Sequence, residues 1–409
     1  MISRGKSKHA CCSKELSQRS EDDGNRISQL SDHLICQIIS LLSTEEAIKT
    51  SVLSTRWRHV WLWLPSLELN SRKFSDTKAF VSFGDRFFDS SMVTCIQKLK
   101  LTLGDNASIV NDTSYFTSWI DAAIRRKIQH LDLEWPEYGY FTHSRLRLHS
   151  CETLVFLRLF KVFLDDAVFV VLPCLKTMYL EQNWYPSEAT LKKLISSCPV
   201  LESLKIVSSN IDAQVYRVHS RSLKNLNIER RTLKVFNGVS GIVIDAPLLC
   251  SLSIDDDESK SFIVNNFESN AKLNISLNYG LVGSDIRTNV SSRSSIGDFL
   301  SGISRIGDMT ISQSTFQEQI IYNNYPEPPS VEDNQSVPKC FLSSLEFIDI
   351  KFSFRELGMD MKFVRYFLEH SAILKKLTLR SDYHSTKDEI FKKLLKIPKA
   401  STKCELVIL

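Results

Sequence analysis

The sequence predicts an α/β chain: a small N-terminal helical module followed by a curved solenoid, that is, a parallel sheet with helices on its outer side. Three observations carry the prediction. Short apolar-periodic segments crowd the stretch from Asn25 to Trp63, a six-residue phrase Leu-x-x-Leu-x-Leu recurs from about residue 95 onward, and no apolar run approaches a membrane span. With 409 residues, 43% of them hydrophobic and 24% charged, the chain is long enough for an extended array beside a small module.

The helical module comes first. Leu30, Leu34, Ile38 and Leu41 or Leu42 fall at helical spacing, and Glu45 to Val52 reads as a second helix with Ala47, Ile48 and Val52 on one face. A third segment begins near Ser54 and sets Trp57 and Trp61 four residues apart, with Arg56 and Arg58 beside them. So small a unit is not self-sufficient, and its apolar faces call for a covering surface.

The same stretch, NRISQLSDHLICQIISLLSTEEAIKTSVLSTRWRHVWLW, resembles the F-box of plant proteins. The resemblance rests on residues such as Arg26, Ile27, Leu30, Asp32, Leu34, Ile38, Leu42, Thr50, Ser51, Val52, Leu53, Ser54, Arg56, Trp57 and Trp61. Ser31 and Ser43 stand where the family generally has proline; serine caps a helix start as proline fits one, so both helices are expected to form, and adaptor affinity is where the change would register. What the resemblance implies is binding of a Skp-type adaptor, and through it a cullin, by way of Leu30, Ser31, Leu34, Ile38, Leu42, Val52, Leu53 and Trp57.

The repeated phrase organises the rest. It is written at Ile96/Leu99/Leu101, Ile128/Leu131/Leu133, Leu154/Leu157/Leu159, Leu175/Met178/Leu180, Leu201/Leu204/Ile206, Leu223/Leu226/Ile228 and Leu249/Leu252/Ile254. Fainter copies occur at Ile306/Met309/Ile311, Leu345/Ile348/Ile350 and Leu374/Leu377/Leu379, while Leu273/Ile275/Leu277 keeps only the alternation. This spacing is that of leucine-rich repeats, although more ragged. Alternation in its last three residues puts apolar side chains on one face of a short strand, and stacking such strands yields a parallel sheet. Between copies, Ser187 to Ser197 reads as an outer helix that the Cys198-Pro199 step ends.

The last seventy or so residues resemble the FBD region found at the C-terminus of many plant F-box proteins, through residues including Pro338, Cys340, Leu345, Tyr366, Leu368, Leu374, Lys375, Lys376, Pro398, Ala400 and Cys404. They add a strand, a helix over Met361 to Glu369, a strand, a helix over Lys387 to Lys396 and a strand over Glu405 to Leu409. The expected organisation is therefore a disordered tail over 1–24, the F-box over 25–70, a leucine-rich-repeat solenoid over 71–322, a linker loop over 323–338, and the FBD region over 339–409, continuing and capping the solenoid.

Chemistry is sparse. The net charge of +4 without a dense basic stripe gives no reason to expect nucleic acid; Arg125 to Lys127 and Arg230-Arg231 read as solvated turns. Ten scattered cysteines form no zinc or disulfide pattern, and neither a signal peptide nor a membrane span is indicated, so an intracellular protein of cytoplasm or nucleus is expected. No phosphate loop or nucleophile elbow occurs, His143, His149 and Cys151 fit no ligand spacing, and no cofactor is implied. Asp255, Asp256, Asp257 and Glu258 read as a solvated acidic turn, with contact to a basic partner as the sharper reading.

Aromatic residues offer the better lead to a target. Trp135, Tyr138, Phe160, Trp184 and Tyr185 follow successive repeat strands and read either as partner anchors along one rim or as packed under their own loops, next to the outward strand positions Asp132, Arg158, Tyr179, Lys205, Asn227 and Ser253 on the concave face. Mixed charge there suits a protein or peptide. The resemblance implies a non-catalytic substrate-recognition subunit of a cullin-RING ubiquitin ligase. The alternatives are a scaffold with weak or no adaptor binding and, with less support, a small-molecule receptor, which needs a strongly basic pocket the scattered lysines do not suggest.

Overall fold

The computed structural model describes residues 30–104, 114–135, 146, 148–165, 170–208, 215–231, 241–256, 259, 261–265, 271–277, 305–312, 339–352, 357–381 and 387–409. The expected tail over 1–24 and linker over 323–338 lie outside these residues. The chain divides into two units, Met1–Leu64 and Pro65–Leu409.

In the first unit, helix α1 (Asp32–Ser40) starts after Ser31, whose side chain makes no capping hydrogen bond. Helix α2 (Thr44–Lys49) starts at Ser43, and here the serine builds a full capping box: its hydroxyl accepts from Glu46 N–H, and the Glu46 carboxylate accepts from Ser43 N–H. Those bonds hold the Glu46 carboxyl below its usual range. A 3-10 turn over Thr50–Val52 leads to a 3-10 helix over Trp57–Trp63, where the sequence suggested a third α-helix. Both α1 and α2 pack on this 3-10 helix, and Asp32 pairs with Arg56 across the module.

The second unit is built on one 13-stranded sheet. Its first six strands are β1 (Ser66–Asn70), β2 (Lys98–Thr102), β3 (His130–Glu134), β4 (Phe156–Phe160), β5 (Thr177–Glu181) and β6 (Ser203–Ser208). After β6 the sheet takes β8 (Asn225–Arg230), β10 (Ser251–Asp256), β12 (Ala271–Leu277), β13 (Ile306–Ser312), β14 (Phe347–Phe352), β15 (Lys376–Ser381) and β16 (Glu405–Ile408). The phrase explains the register. Leu99, Leu131, Leu157, Met178, Leu204, Leu226, Leu252 and Leu273 are directly paired in turn, and all are buried. The leading residue of each phrase, such as Leu175, Leu201 or Leu223, is buried as well. Strand β1, which the sequence assigned to the F-box, begins this sheet by pairing Leu67 with Leu99.

The outer layer departs from expectation. Helix α3 (Thr77–Phe88) packs against helix α4 (Ser114–Arg125) in the early connections and helix α5 (Glu188–Ser196) fills a later one, but three short strands follow. These are β7 (Val215–His219), β9 (Gly241–Asp245) and β11 (Ser261–Asn265), joined as a separate parallel sheet in the order β11-β9-β7. The connections here, β6 to β8 and β8 to β10, are served by strands because VYRVH and GIVID alternate apolar residues and contain no helix-length periodicity.

Arg230 joins the two sheets. The sequence suggested a solvated turn, yet Arg230 is 1% exposed: its Nη1 donates to Ser259 Oγ at 2.8 Å and lies 3.9 Å from Asp256 Oδ2. Its guanidinium also lies 4.5 Å from the centre of the Tyr216 ring on β7. Asp255 and Asp256 belong to strand β10 and Asp256 is buried, so these two lie in no solvated turn; Asp257 and Glu258 lie outside the described residues.

Two further contacts are specific enough to predict. Gly84 on α3 admits the Trp119 indole of α4, since a Cβ there would lie 2.1 Å from the ring. Gly84→Ala is expected to cost about 1–3 kcal/mol in denaturant unfolding, as overpacking does. Asn183 is buried three residues beyond Leu180, accepting from Val162 N–H at 2.8 Å and donating to Leu159 O at 2.9 Å. It ties one repeat to the previous one. Asn183→Leu strands both backbone groups and is expected to destabilise the chain by about 1–3 kcal/mol for each.

Cysteine burial divides the thiols. Burial pushes Cys198 and Cys340 up to about 11, whereas Cys95, Cys174 and Cys250 are exposed. Iodoacetamide at pH 8 is therefore expected to label Cys95, Cys174 and Cys250 in the native chain, and Cys198 and Cys340 only after denaturation, read by mass spectrometry.

Candidate functional site

Two surfaces present side chains that the fold leaves uncovered. The first lies within the F-box unit. Helix α1 turns Ile35 and Ile39 inward and leaves Leu34 at 44% and Ile38 at 40% exposure; beyond it Leu41 is 86% exposed. In the following turns Val52 and Leu53 are 85% and 56% exposed. Each of these is a large aliphatic group facing water. Together they make a cluster of unburied apolar residues on a small unit, the usual mark of a partner surface.

The residues expected to meet an adaptor divide accordingly. Leu34, Ile38, Val52 and Leu53 are exposed, Leu30 and Leu42 are half-buried, and Ser31 is exposed at the head of α1. Trp57 is corrected to a core role, being 2% exposed beneath the helices, because it belongs to the 3-10 helix on which α1 and α2 pack. Val52 does not share a buried face with Ala47 and Ile48, since the helix tightens to 3-10 at Thr50. Of Leu41 and Leu42, which the spacing left open, the adaptor expectation named Leu42, yet Leu41 is the one that faces water.

The second surface is the open face of the large sheet. Asp132, Arg158, Tyr179, Lys205, Asn227 and Ser253 are paired in register along one row, as the strand alternation predicts. Arg158 is clamped. Its Nε and Nη2 reach the two Glu181 oxygens at 3.1 and 3.4 Å, and its Nη1 reaches Asp132 at 3.1 Å. Hydrogen bonds and charge from Glu181 and Asp132 outweigh partial burial and push the Arg158 guanidinium further above its usual range. The head group also lies 5.5 Å from the centre of the Phe160 ring.

Beside it runs an aromatic platform. His130 stacks on Phe156 at 5.8 Å, and Phe156 meets Tyr179 edge-on at 5.5 Å, all on neighbouring strands. Phe156 was missed by sequence reading, although it opens the phrase FLRLF at an outward position. A pre-oriented arginine among half-buried aromatics has the composition of a protein-binding hot spot.

The expected rim is only partly there. Trp135 is 4% exposed and packs 5.7 Å from Phe116, and Tyr185 is buried, with its hydroxyl pushed far above the usual tyrosine range by desolvation. Both serve the core. Trp184 is half-buried and stacks on Phe163 at 4.4 Å, Phe160 is half-buried, and Tyr138 lies outside the described residues. The loops turn sharply here: Lys161 and Gln182, each just past a strand, adopt φ of 59° and 54°.

Among the described residues no group of three His, Cys, Asp or Glu side chains could hold a metal, and no helix is long and apolar enough to cross a membrane. His149 pairs with Asp121 at 2.7 Å, and Cys151 is buried.

A small helical module with uncovered apolar residues, followed by a repeat sheet with an open face, defines an F-box protein of the leucine-rich-repeat class. Family models match three stretches of the chain: the F-box domain over residues 27–69, the leucine-rich repeats of an FBD-associated F-box protein over 116–268, and FBD over 332–379. An FBD-associated F-box protein of Arabidopsis thaliana, At5g53635, is 47% identical, with 94% of this chain and all of the relative covered. The F-box/FBD/LRR-repeat protein At5g22660 of the same plant is 37% identical over 95% of this chain and 97% of its own length. The chain belongs to the F-box/FBD/LRR-repeat family.

Proposed function

We propose that the chain is the substrate-recognition subunit of a Skp-cullin-F-box ubiquitin ligase, binding a Skp-type adaptor through the F-box and a target protein through the open face of the repeats. The observation that carries this is the pairing of two uncovered surfaces, one aliphatic on the adaptor module and one aromatic and charged on the repeat sheet. The chain performs no bond chemistry in this reading. It raises the effective concentration of a target near an enzyme carried by another subunit. Cytoplasm or nucleus is the setting such a role requires.

The test is capture of a Skp-type adaptor by the purified chain, with folding verified by circular dichroism. Capture that survives washing supports the reading, and a folded chain that fails to capture the adaptor overturns it. Proteins that accumulate, by proximity labelling, on a chain lacking residues 25–65 are the expected targets. Their half-lives in cells lacking the protein separate degradation from scaffolding.

A further inference from the structure

The open face of the sheet carries a charge pattern that the repeats do not require. Glu229 is paired in register with Asp255, and Asp255 with Ser276; Ser312 is paired with Lys351, and Lys351 with Arg380. Ser276 and Ser312 each stand one step beyond the paired residues Ile275 and Ile311. Across strands β8, β10, β12, β13, β14 and β15 the row therefore reads acid, acid, hydroxyl, hydroxyl, cation, cation. A groove of about 390 Å³ runs along it, with Asn227, Asp255, Asn274 and Lys351 among its walls.

Internal pairing does not exhaust this polarity. Asp255 Oδ2 accepts from Arg231, whose side chain is 69% exposed and so holds weakly, while Glu229 accepts from Lys205 at 3.1 Å in a half-buried pair. Asp255 Oδ1 and Asn227 Oδ1 are buried without a hydrogen-bond partner, so the acidic end of the groove holds two unmet acceptors. At the other end Arg380 is engaged by Asp349 at 2.7 Å, whereas Lys351 is exposed and has no ion pair among the described residues.

We propose that this groove takes an extended segment of a target protein carrying a basic and an acidic side chain about four residues apart. Three strand spacings of about 4.8 Å separate β10 from β14, some ~14 Å, and an extended chain advances about 3.4 Å per residue. The basic side chain of the segment meets Glu229 and Asp255 on the groove side, and the acidic side chain pairs with Lys351. The inference rests on the reading of this sheet as the target-binding surface and names the class of segment it selects.

Fluorescence anisotropy on the purified full chain tests it, using four pools of labelled, end-blocked peptides with neutral randomised residues around two fixed positions four apart. The fixed pairs are Arg/Glu, Arg/Arg, Glu/Glu and Ser/Ser. The Arg/Glu pool is expected to bind about tenfold more tightly than the others at low salt, and to lose that advantage as salt rises. Lys351→Glu is expected to move the preference to Arg/Arg, and Glu229→Lys with Asp255→Lys to Glu/Glu, with circular dichroism unchanged. Equal binding of all pools, binding of none, or a preference that Lys351→Glu leaves unmoved overturns the proposal. Targets that still accumulate on the chain lacking residues 25–65 would then leave the receptor reading standing; their absence would remove both.

Discussion

Val52→Asp together with Leu53→Asp is expected to abolish adaptor capture while the chain stays folded. The two side chains are 85% and 56% exposed, so neither supports the core, and surface changes of this kind usually alter stability by about 0.5 kcal/mol or less. Bound to an adaptor they would be desolvated. An aspartate forced into such an interface has no cation to meet it and costs roughly 3 kcal/mol or more per residue, a loss of at least a hundredfold in affinity. Calorimetric titration against a Skp-type adaptor measures it. Unchanged affinity would remove these residues from the interface. Trp57→Ala forms the contrast: at 2% exposure it should lose about 3–5 kcal/mol of stability, so any lost binding would come with lost helix signal.

Arg230→Ala is expected to be the most damaging single change in the repeat unit. It removes the hydrogen bond to Ser259 and the ring contact with Tyr216, and leaves Asp256 charged and buried. Breaking one side of a buried pair costs about 3–5 kcal/mol; Asp256 keeps its hydrogen bonds from Ser259 N–H and Oγ, at 2.7 Å each, but loses the nearby guanidinium. Urea unfolding of the full chain reads the loss. Replacing both partners, Arg230→Met with Asp256→Asn, is expected to cost less than the sum of the single changes, because no buried charge is then left unpaired. An additive result would show that the two side chains do not communicate. The structural consequence is local: Arg230 is on β8, Asp256 on β10 and Tyr216 on β7, so the outer sheet loses its tie to the inner one.

The repeat sheet was legible because its signal is local. A strand such as FLRLF or NLNIER writes its burial pattern in alternate residues, and each copy leads with one more buried leucine. Helix α5 was legible for the same reason, from Thr190, Leu191, Leu194 and Ile195. The outer strands were not. VYRVH, GIVID and SFIVN alternate in the same way but pair only with one another, and alternation does not say which sheet a strand joins. The rim shows the limit for function: Trp135 and Tyr185 follow strands as Trp184 does, yet they are buried, and alternation within a strand does not say where residues beyond its end point.

The sequence by itself determined the class of this protein: the F-box text, the repeat phrase and the FBD text establish the family and the ladder register through short-range periodicity. Only the tertiary structure decided which apolar side chains are offered to a partner. Helix α1 is aliphatic on both sides, with Ile35 and Ile39 on one and Leu34 and Ile38 on the other. Hydrophobicity cannot choose between them, and packing on the helix Trp57–Trp63 does. Likewise the acids and cations of the groove lie far apart in sequence. They form one row only because parallel pairing brings β8, β10, β12, β13, β14 and β15 side by side.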